Sequence, residues 1–289
     1  MVLTMMNSFD IPAPAARTWF ITGASSGIGL ALAVRAAERG DNVIAVARRA
    51  EGLTQLTEKY GDQVLSAIAD VADLSRLQSA VDAGLQRFGR IDFVANNAGY
   101  GVFGAVEEAT DAQVRAIFDT NVHGVLNVLR ATLPTLRAQK SGHILQGSSY
   151  FGQLAHAGVG MIAATKYAVE GLTEALFGEL RPLGIKVTLV EPGLTATSFL
   201  ANLDHVETIS DYDQTVREVL KTIGGLPPTA FNTADRVVDA IIAATEANTA
   251  PHRIATGSAA VEAIRTALVA RIAELDEWTP VSNAVDSPN

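Results

Sequence analysis

The chain has 289 residues, 48% of them apolar, enough for one sizeable core, and its regular periodic pattern favours one domain over two. A formal net charge of −9 without any basic run disfavours nucleic acid or an anionic membrane surface as the main partner. The absence of cysteine excludes disulfides, thiolate metal sites and cysteine catalysis, and fits a reducing compartment, so the expected location is cytoplasmic.

Residues 1–17 read as a loose leader carrying Asp10, Pro12 and Pro14, without the charged start and apolar core of an export signal. No apolar run approaches the roughly 18 residues that a membrane span needs. Thr18-Trp19-Phe20-Ile21-Thr22 predicts a buried strand, and Ile28, Leu32 and Ala36 predict a helix that Gly40 stops. Between them stands Gly23-Ala24-Ser25-Ser26-Gly27-Ile28-Gly29. Glycines at 23, 27 and 29 let the backbone turn tightly and approach a pyrophosphate, while the free N–H groups of a helix start attract the anion. A plain tight turn would share this composition.

The rhythm continues. Asn42 to Ala47 reads as a strand, residues 53–60 as a helix, and Val64 to Ile68 as a strand. Asp73 caps a helix that turns Leu74, Leu77, Val81 and Leu85 inward. Asp92 to Ala95 makes a fourth strand, Asp111 to Leu136 a long helix, His143 to Gly147 a fifth strand, Gly160 to Leu180 a helix, and Lys186 to Val190 a sixth strand. Alternating strands and helices predict a single Rossmann-like, doubly wound parallel α/β sheet of about seven strands. Helices lie on both faces, and ligands collect at the carboxyl ends of the strands. From Leu194 to Asn232 the period fails, which suggests a substrate loop or lid with one short helix near Tyr212 to Leu220. A helix over Thr233 to Ala247, a short strand at Arg253 to Ala255 and a helix over Ser258 to Leu275 close the domain, expected to span 18–275. Residues 276–289 are expected to fray.

Three further signals fall at strand ends: Asn96-Asn97-Ala98-Gly99, Ser148-Ser149 and Pro192-Gly193. With the glycine turn, they occur in an order and spacing that resembles the short-chain dehydrogenase/reductase family, over about Thr18 to Thr256. The resemblance implies that Gly23, Ser25, Ser26, Gly27, Ile28 and Gly29 hold a pyrophosphate, Asp70 and Val71 the adenine, and Asn97, Ala98 and Gly99 the adjoining ribose region. Pro192, Gly193 and Thr197 would border the nicotinamide. At the end of the second strand a carboxylate would favour NAD. This chain has Ala47 followed by Arg48 and Arg49, whose guanidinium groups can fork onto a phosphate, so NADP(H) is favoured over NAD(H).

The family's catalytic pattern expects an Asn, a Ser, a Tyr thirteen residues on, and a Lys one turn later. Asn121, Ser149 and Lys166 fit, with Lys166 also on the nicotinamide ribose, but the Tyr position falls on Ile162. The phenol of the family pattern exchanges a proton with the substrate oxygen, and isoleucine has none to give. Tyr100, Tyr150 and His156 are the candidate replacements, His156 having an unperturbed pKa near neutrality. Together with Ile162 and Phe199 they are expected to line the substrate pocket. Tyr167, turned about 100° from Lys166, is expected to pack or meet a partner.

The expected function is therefore an NADP(H)-dependent oxidoreductase acting on a medium-sized apolar carbonyl or alcohol, imine or enone. The alternatives are a dinucleotide-binding protein without redox turnover and a Tyr-to-Ile variant of a conventional carbonyl reductase. The partners expected are a small-molecule substrate and a second or third and fourth copy, in a homodimer or homotetramer through the long helices 111–136 and 160–180. No nucleic acid or membrane is expected. No metal is implied, since the histidines at 123, 143, 156, 205 and 252 show no ligand spacing.

Overall fold

A computed structural model of the chain describes residues 16–286. Seven strands form one parallel sheet: β1 Thr18–Thr22, β2 Asn42–Ala47, β3 Val64–Ile68, β4 Phe93–Asn96, β5 Gly142–Gly147, β6 Ile185–Pro192 and β7 Arg253–Thr256. Their spatial order is β3-β2-β1-β4-β5-β6-β7, so the winding direction reverses between β1 and β4. Ligand crevices of doubly wound sheets open at such a reversal, beyond the carboxyl ends of the strands. The helices are α1 Gly27–Glu38, α2 Leu53–Tyr60, α3 Leu74–Phe88, α4 Asp111–Phe118, α5 Gly124–Gln139, α6 Gly160–Leu180, α7 Glu218–Gly224, α8 Ala234–Glu246 and α9 Ser258–Asn283.

Alternate strand residues feed two cores, because successive side chains of a strand point to opposite faces. On one face Phe20, Ile44, Val94 and Ile144 pack with Leu77 of α3, Val128 of α5 and Val169 of α6. On the other, Trp19, Val43, Phe93 and Leu145 pack with Leu32 of α1, Leu53 of α2 and Val238 of α8. Trp19 stacks on Phe93 with ring centroids 4.2 Å apart, and its indole N–H donates to Asp41 at 2.9 Å. Asp73 caps α3 as its sequence predicts, accepting from the Arg76 amide at 3.1 Å.

The expected long helix over 111–136 is one continuous rod with a π-helical turn, Asp119–His123, set between α4 and α5. In the irregular stretch, Thr195–Ala196 pairs with Asn232–Thr233, and Asp204–His205 pairs with Val102–Phe103. One ladder thus joins the two ends of the segment to each other and the second ties its interior to the loop after β4, both too short to show as periodicity. Its helix begins as a π turn at Asp213–Arg217 and becomes α7. Residues 1–15 of the expected leader lie outside the described residues. Arg17 is not loose: its amide and guanidinium both donate to Asp41. The last helix extends beyond Leu275, where the sequence places its end. α9 continues to Asn283 through Pro280, and the Thr279 and Ser282 hydroxyls bond back to the carbonyls of Leu275 and Trp278.

Candidate active site

The chain leaves β1 through a turn in which Gly23 and Gly27 take positive φ of 67° and 55°. A side chain at Gly29 is sterically barred, since a Cβ there would stand 2.3 Å from the Gly23 carbonyl oxygen and 2.7 Å from Asn97 Nδ2. Ser26 precedes α1 in an extended conformation with no side-chain cap, so the amides of the first turn keep their donors. This is a bare, positively polarised concavity of the kind that holds a pyrophosphate, and a cavity of about 940 Å³ opens over it.

Thr22 clasps the neighbouring loop. Its Oγ1 accepts from the amides of Asn97 and Ala98 at 3.0 and 3.1 Å, and its carbonyl accepts from Asn97 Nδ2 at 3.1 Å. At the other end, Asp70 Oδ1 accepts from the Ala72 amide at 2.9 Å, and Val71 packs where any Cβ on Gly124 would collide with it. The exposed Arg48 and Arg49 stand at the cavity wall beyond β2, in no ion pair among the described residues.

Of the residues that the sequence points to, Gly23, Ser25, Ser26, Gly27, Ile28, Arg48, Arg49, Asp70, Val71, Asn97, Ala98, Gly99, Lys166, Pro192, Gly193 and Thr197 all line this one cavity. So do Ser149, Ile162, Tyr100, Tyr150 and Phe199. Gly29 and Asn121 do not. Gly29 works from behind, through the close packing just described. Asn121 is buried in the π turn, where its Oδ1 accepts from the Tyr100 amide at 3.1 Å and its Nδ2 donates to the Tyr100 carbonyl and to Thr165 Oγ1. It therefore ties the rod α4–α5 to α6 and to the loop after β4.

Ser149 starts a short 3₁₀ turn. Its Oγ accepts from the Phe151 amide at 3.2 Å and donates to the Pro192 carbonyl at 3.4 Å, joining the loop after β5 to the loop after β6. Lys166 reaches across from α6, its Nζ donating to the Gly147 carbonyl at 3.0 Å. Burial pushes its ammonium down to about 8, with Glu170 acting in the opposite direction. Ile162 lies one helical turn before Lys166, 3% exposed, within a cluster that includes Val102, Ile117, Phe151 and Val159, with Tyr100, Tyr150 and Phe199 against it.

The expected replacements for a phenol at position 162 fare unequally. His156 is a correction: it is not on the cavity wall. Its ring meets Phe151, itself a cavity-lining residue, edge-on at 5.2 Å, and its Nδ1 lies 3.0 Å from the Ala157 carbonyl, so the imidazole stands behind the wall rather than in it. Tyr150 lies in the pocket, but burial pushes its hydroxyl up to about 12, the wrong direction for a proton donor at neutral pH. Tyr100 is also raised, by burial first and by the Asp204 charge next.

One group escaped the sequence reading. Behind Ser149, Glu170 of α6 and Glu191 at the end of β6 are both buried, and Gln153 Nε2 donates to each of them at 3.1 Å. Arg253 of β7 contacts Glu170 at 3.2 Å and Glu191 at 3.3 Å. Two glutamates in otherwise apolar runs, one turn after Lys166 and just before Pro192-Gly193, were the only signal available.

The reversed parallel sheet, the glycine turn and the cavity across the strand ends define a dinucleotide-binding α/β protein of the doubly wound class. A family model described as short chain dehydrogenase matches residues 17–208. "Oxidoreductase BOA17" of Botryotinia fuckeliana is 36% identical over 270 residues, 93% of this chain and 98% of that protein. A 3-ketodihydrosphingosine reductase of Bacteroides thetaiotaomicron is 37% identical over 70% of this chain and 74% of its own. The crystal structure of a short-chain dehydrogenase from Streptomyces avermitilis superposes with a TM-score of 0.87 at 37% identity, covering 94% of this chain and all of that one. A short chain dehydrogenase of Burkholderia cenocepacia in complex with NADP superposes with a TM-score of 0.71 at 25% identity, over 91% and 97% of the two chains. This chain belongs to the short chain dehydrogenase family and is an oxidoreductase of that family.

Proposed function

We propose that the chain is an NADP(H)-dependent oxidoreductase for a medium-sized apolar substrate, with a hydrocarbon at the position where the family pattern places its proton donor. The observation that carries this reading is the company of Ile162. It shares one cavity with Ser149 and Lys166, and the wall also carries the apolar bodies of Tyr100, Phe103, Tyr150, Phe199, Leu203 and Phe231, interleaved with Ser198, Asn202 and Asp204. The glycine turn, the Asn97 to Gly99 loop and the Pro192-Gly193 loop would hold a nicotinamide dinucleotide. Arg48 and Arg49, unpaired by any carboxylate, would fork onto an additional ribose phosphate. When bound, that cofactor supplies or accepts a hydride at carbon.

The residues then divide the remaining work. Lys166 holds a ribose hydroxyl from its anchorage on Gly147, and Ser149 hydrogen-bonds the polar atom of the substrate. Ile162 and its aromatic neighbours exclude water and offer no proton. Substrates that suit such a floor are those needing no acid at the reacting atom: an iminium, already protonated, or an enone, which takes hydride at carbon and a proton elsewhere. The relative acting on 3-ketodihydrosphingosine lends support to a largely apolar ligand. The cysteine-free composition supports a reducing, cytoplasmic setting, and no helix among the described residues is long and apolar enough to cross a membrane.

The test is loss of NADPH absorbance with a panel of apolar ketones, cyclic imines and enones, run beside an NADPH binding titration. Turnover is expected with imines or enones well above that with ketones. Silence across the panel, with binding intact, overturns the redox reading and leaves the second one, a dinucleotide-binding protein without turnover. That second reading is favoured by the positions of the substitutes: His156 is not on the cavity wall, and Tyr150 is shifted against donating.

A further inference from the structure

α9 begins against the active-site loop, Ala260 being 2% exposed beside Gly193, and is held farther along by Arg271, whose guanidinium donates to the Gln153 carbonyl. Every residue from Leu268 to Asn283 is exposed. Within those residues Leu268, Val269, Ile272, Leu275, Trp278 and Val281 are 42–64% exposed. A helix of this length without a packing surface is marginal in water, and a run of large apolar side chains on it is a patch of the kind that marks an interface. With the open edge of β7, α9 forms an apolar groove of about 390 Å³, lined by Ala255, Val261, Ile264, Leu268 and Ile272.

We propose that this face is covered by a second copy of the chain, its α9 laid antiparallel across the first. The pattern along the helix is self-complementary under a two-fold axis. Leu268 and Leu275 are equally distant from the turn at Arg271–Ile272, so an axis there sets each Leu268 on the other copy's Leu275. The same operation brings Arg265 opposite Asp276, Glu277 and Trp278, and Ile264 opposite Thr279. Arg265 lies on one side of that axis and Glu274, Asp276 and Glu277 on the other, while Arg271 sits at the axis and Glu262, which pairs with Arg265 at 3.9 Å in its own chain, falls opposite Val281. Antiparallel pairing therefore sets Arg265 against Asp276 and Glu277, whereas parallel pairing would stack the three acidic residues of one copy on those of the other. In that register Trp278 reaches the groove beside β7. Leu268, Ile272 and Leu275 form the central stripe with Val269 and Trp278 on its flanks, and on the order of 100 Å² for each of these five, counted on both copies, reaches the roughly 1,000 Å² that a specific interface must clear. The acidic second half disfavours an anionic lipid surface as the occupant.

The full chain is tested by sedimentation velocity and by tryptophan emission. Trp19 and Trp278 are the two tryptophans, and Trp19 is fully buried, so the difference between the parent and Trp278→Phe spectra isolates Trp278. The parent is expected to sediment as two copies or a multiple, with Trp278 emission blue-shifted and moving red on dilution. Leu268→Glu with Ile272→Glu is expected to halve the mass and expose Trp278, with circular dichroism reporting that each variant is folded. Arg265→Glu is expected to weaken association, and Asp276→Lys with Glu277→Lys in the same chain to restore it. A monomeric parent with a water-exposed Trp278 at about 50 μM, a concentration that would populate an interface of micromolar strength, overturns the proposal. So does an assembly whose mass and emission ignore the double Glu variant, or a monomer whose Trp278 shifts only on vesicles of anionic phospholipid. None of these outcomes depends on cofactor choice or turnover.

Discussion

Ile162 and Lys166 stand one helical turn apart on α6 and face the same cavity, the first with a hydrocarbon, the second with an ammonium tied to the Gly147 carbonyl. A side chain at position 162 is thus placed to feel the Lys166 charge. A phenol there would be drawn toward its ionised form, the state that can exchange a proton with a substrate oxygen near neutrality. Ile162→Tyr is therefore expected to raise NADPH-dependent reduction of simple ketones by about 10²–10⁴-fold. Steady-state kinetics on parent and variant check it; no gain, with NADPH binding preserved, would show that position 162 is not where the acid belongs.

Cofactor preference is expected to rest on Arg48 and Arg49. Replacing both by Ala removes one or two charge-assisted hydrogen bonds to an added phosphate, each worth about 1.5–3 kcal/mol, and so weakens NADPH by roughly 10- to 10⁴-fold while leaving NADH nearly unchanged. Fluorescence titration of the two nucleotides decides the matter. Equal losses for both would assign the arginines to general attraction.

Burial, and then the charge of Glu170, pushes Glu191 up to about 7 from 4.5. The folded chain therefore holds this proton more tightly than the unfolded one. The contribution to stability is complete below about pH 4.5 and is lost as pH rises through about 7, where a charge must be carried in a buried place. Arg253 offsets part of that cost. Glu191→Gln is expected to melt a few degrees above the parent at about pH 8, and level with it at about pH 4.5. Thermal melts at the two pH values check the sign, and a variant less stable at the higher pH would refute it.

The irregular segment is latched by one carboxylate. Glu108, its side chain fully buried, accepts from the amides of Ala105 and Ile209 at 2.7 Å each and pairs with Arg217. Burial opposes its charge, and these amides and the guanidinium outweigh that and hold it below the usual range. Glu108→Ala is expected to speed amide exchange across residues 204–217 by on the order of tenfold, with little change in β1 or β4. Uniform exchange changes would mean a global rather than a local effect.

Much of this was legible beforehand because parallel strands buried on both faces are continuous apolar runs. Thr18 to Thr22 and Asn42 to Ala47 begin and end where the sequence places them, as does Val64 to Ile68, the edge strand, although only its Val64 is buried. The turn residues at strand ends mark the cavity wall for the same reason, since glycine and asparagine are needed where backbone crowds backbone. What escaped depends on partners distant in the chain. Nothing local to Glu108 announces a bond to Ile209, and nothing local to Glu191 announces Glu170. His156 looked like a pocket residue because it follows Ser149 closely. The direction in which its loop turns is set by Phe151 and Gly158, through bonds invisible to spacing. The extent of α9 past Leu275 was missed because residues near a chain end are expected to lose order, whereas the helix runs through Pro280 to Asn283.

The Thr22 clasp on Asn97 and Ala98 has a consequence for recognition. It fastens the two strand ends on either side of the winding reversal to one another with protein atoms alone, and Gly29 fits into the seam without slack. A nucleotide arriving there meets a mould already set, so little of its binding free energy is diverted to ordering backbone. Selectivity is left to whatever lines the rim.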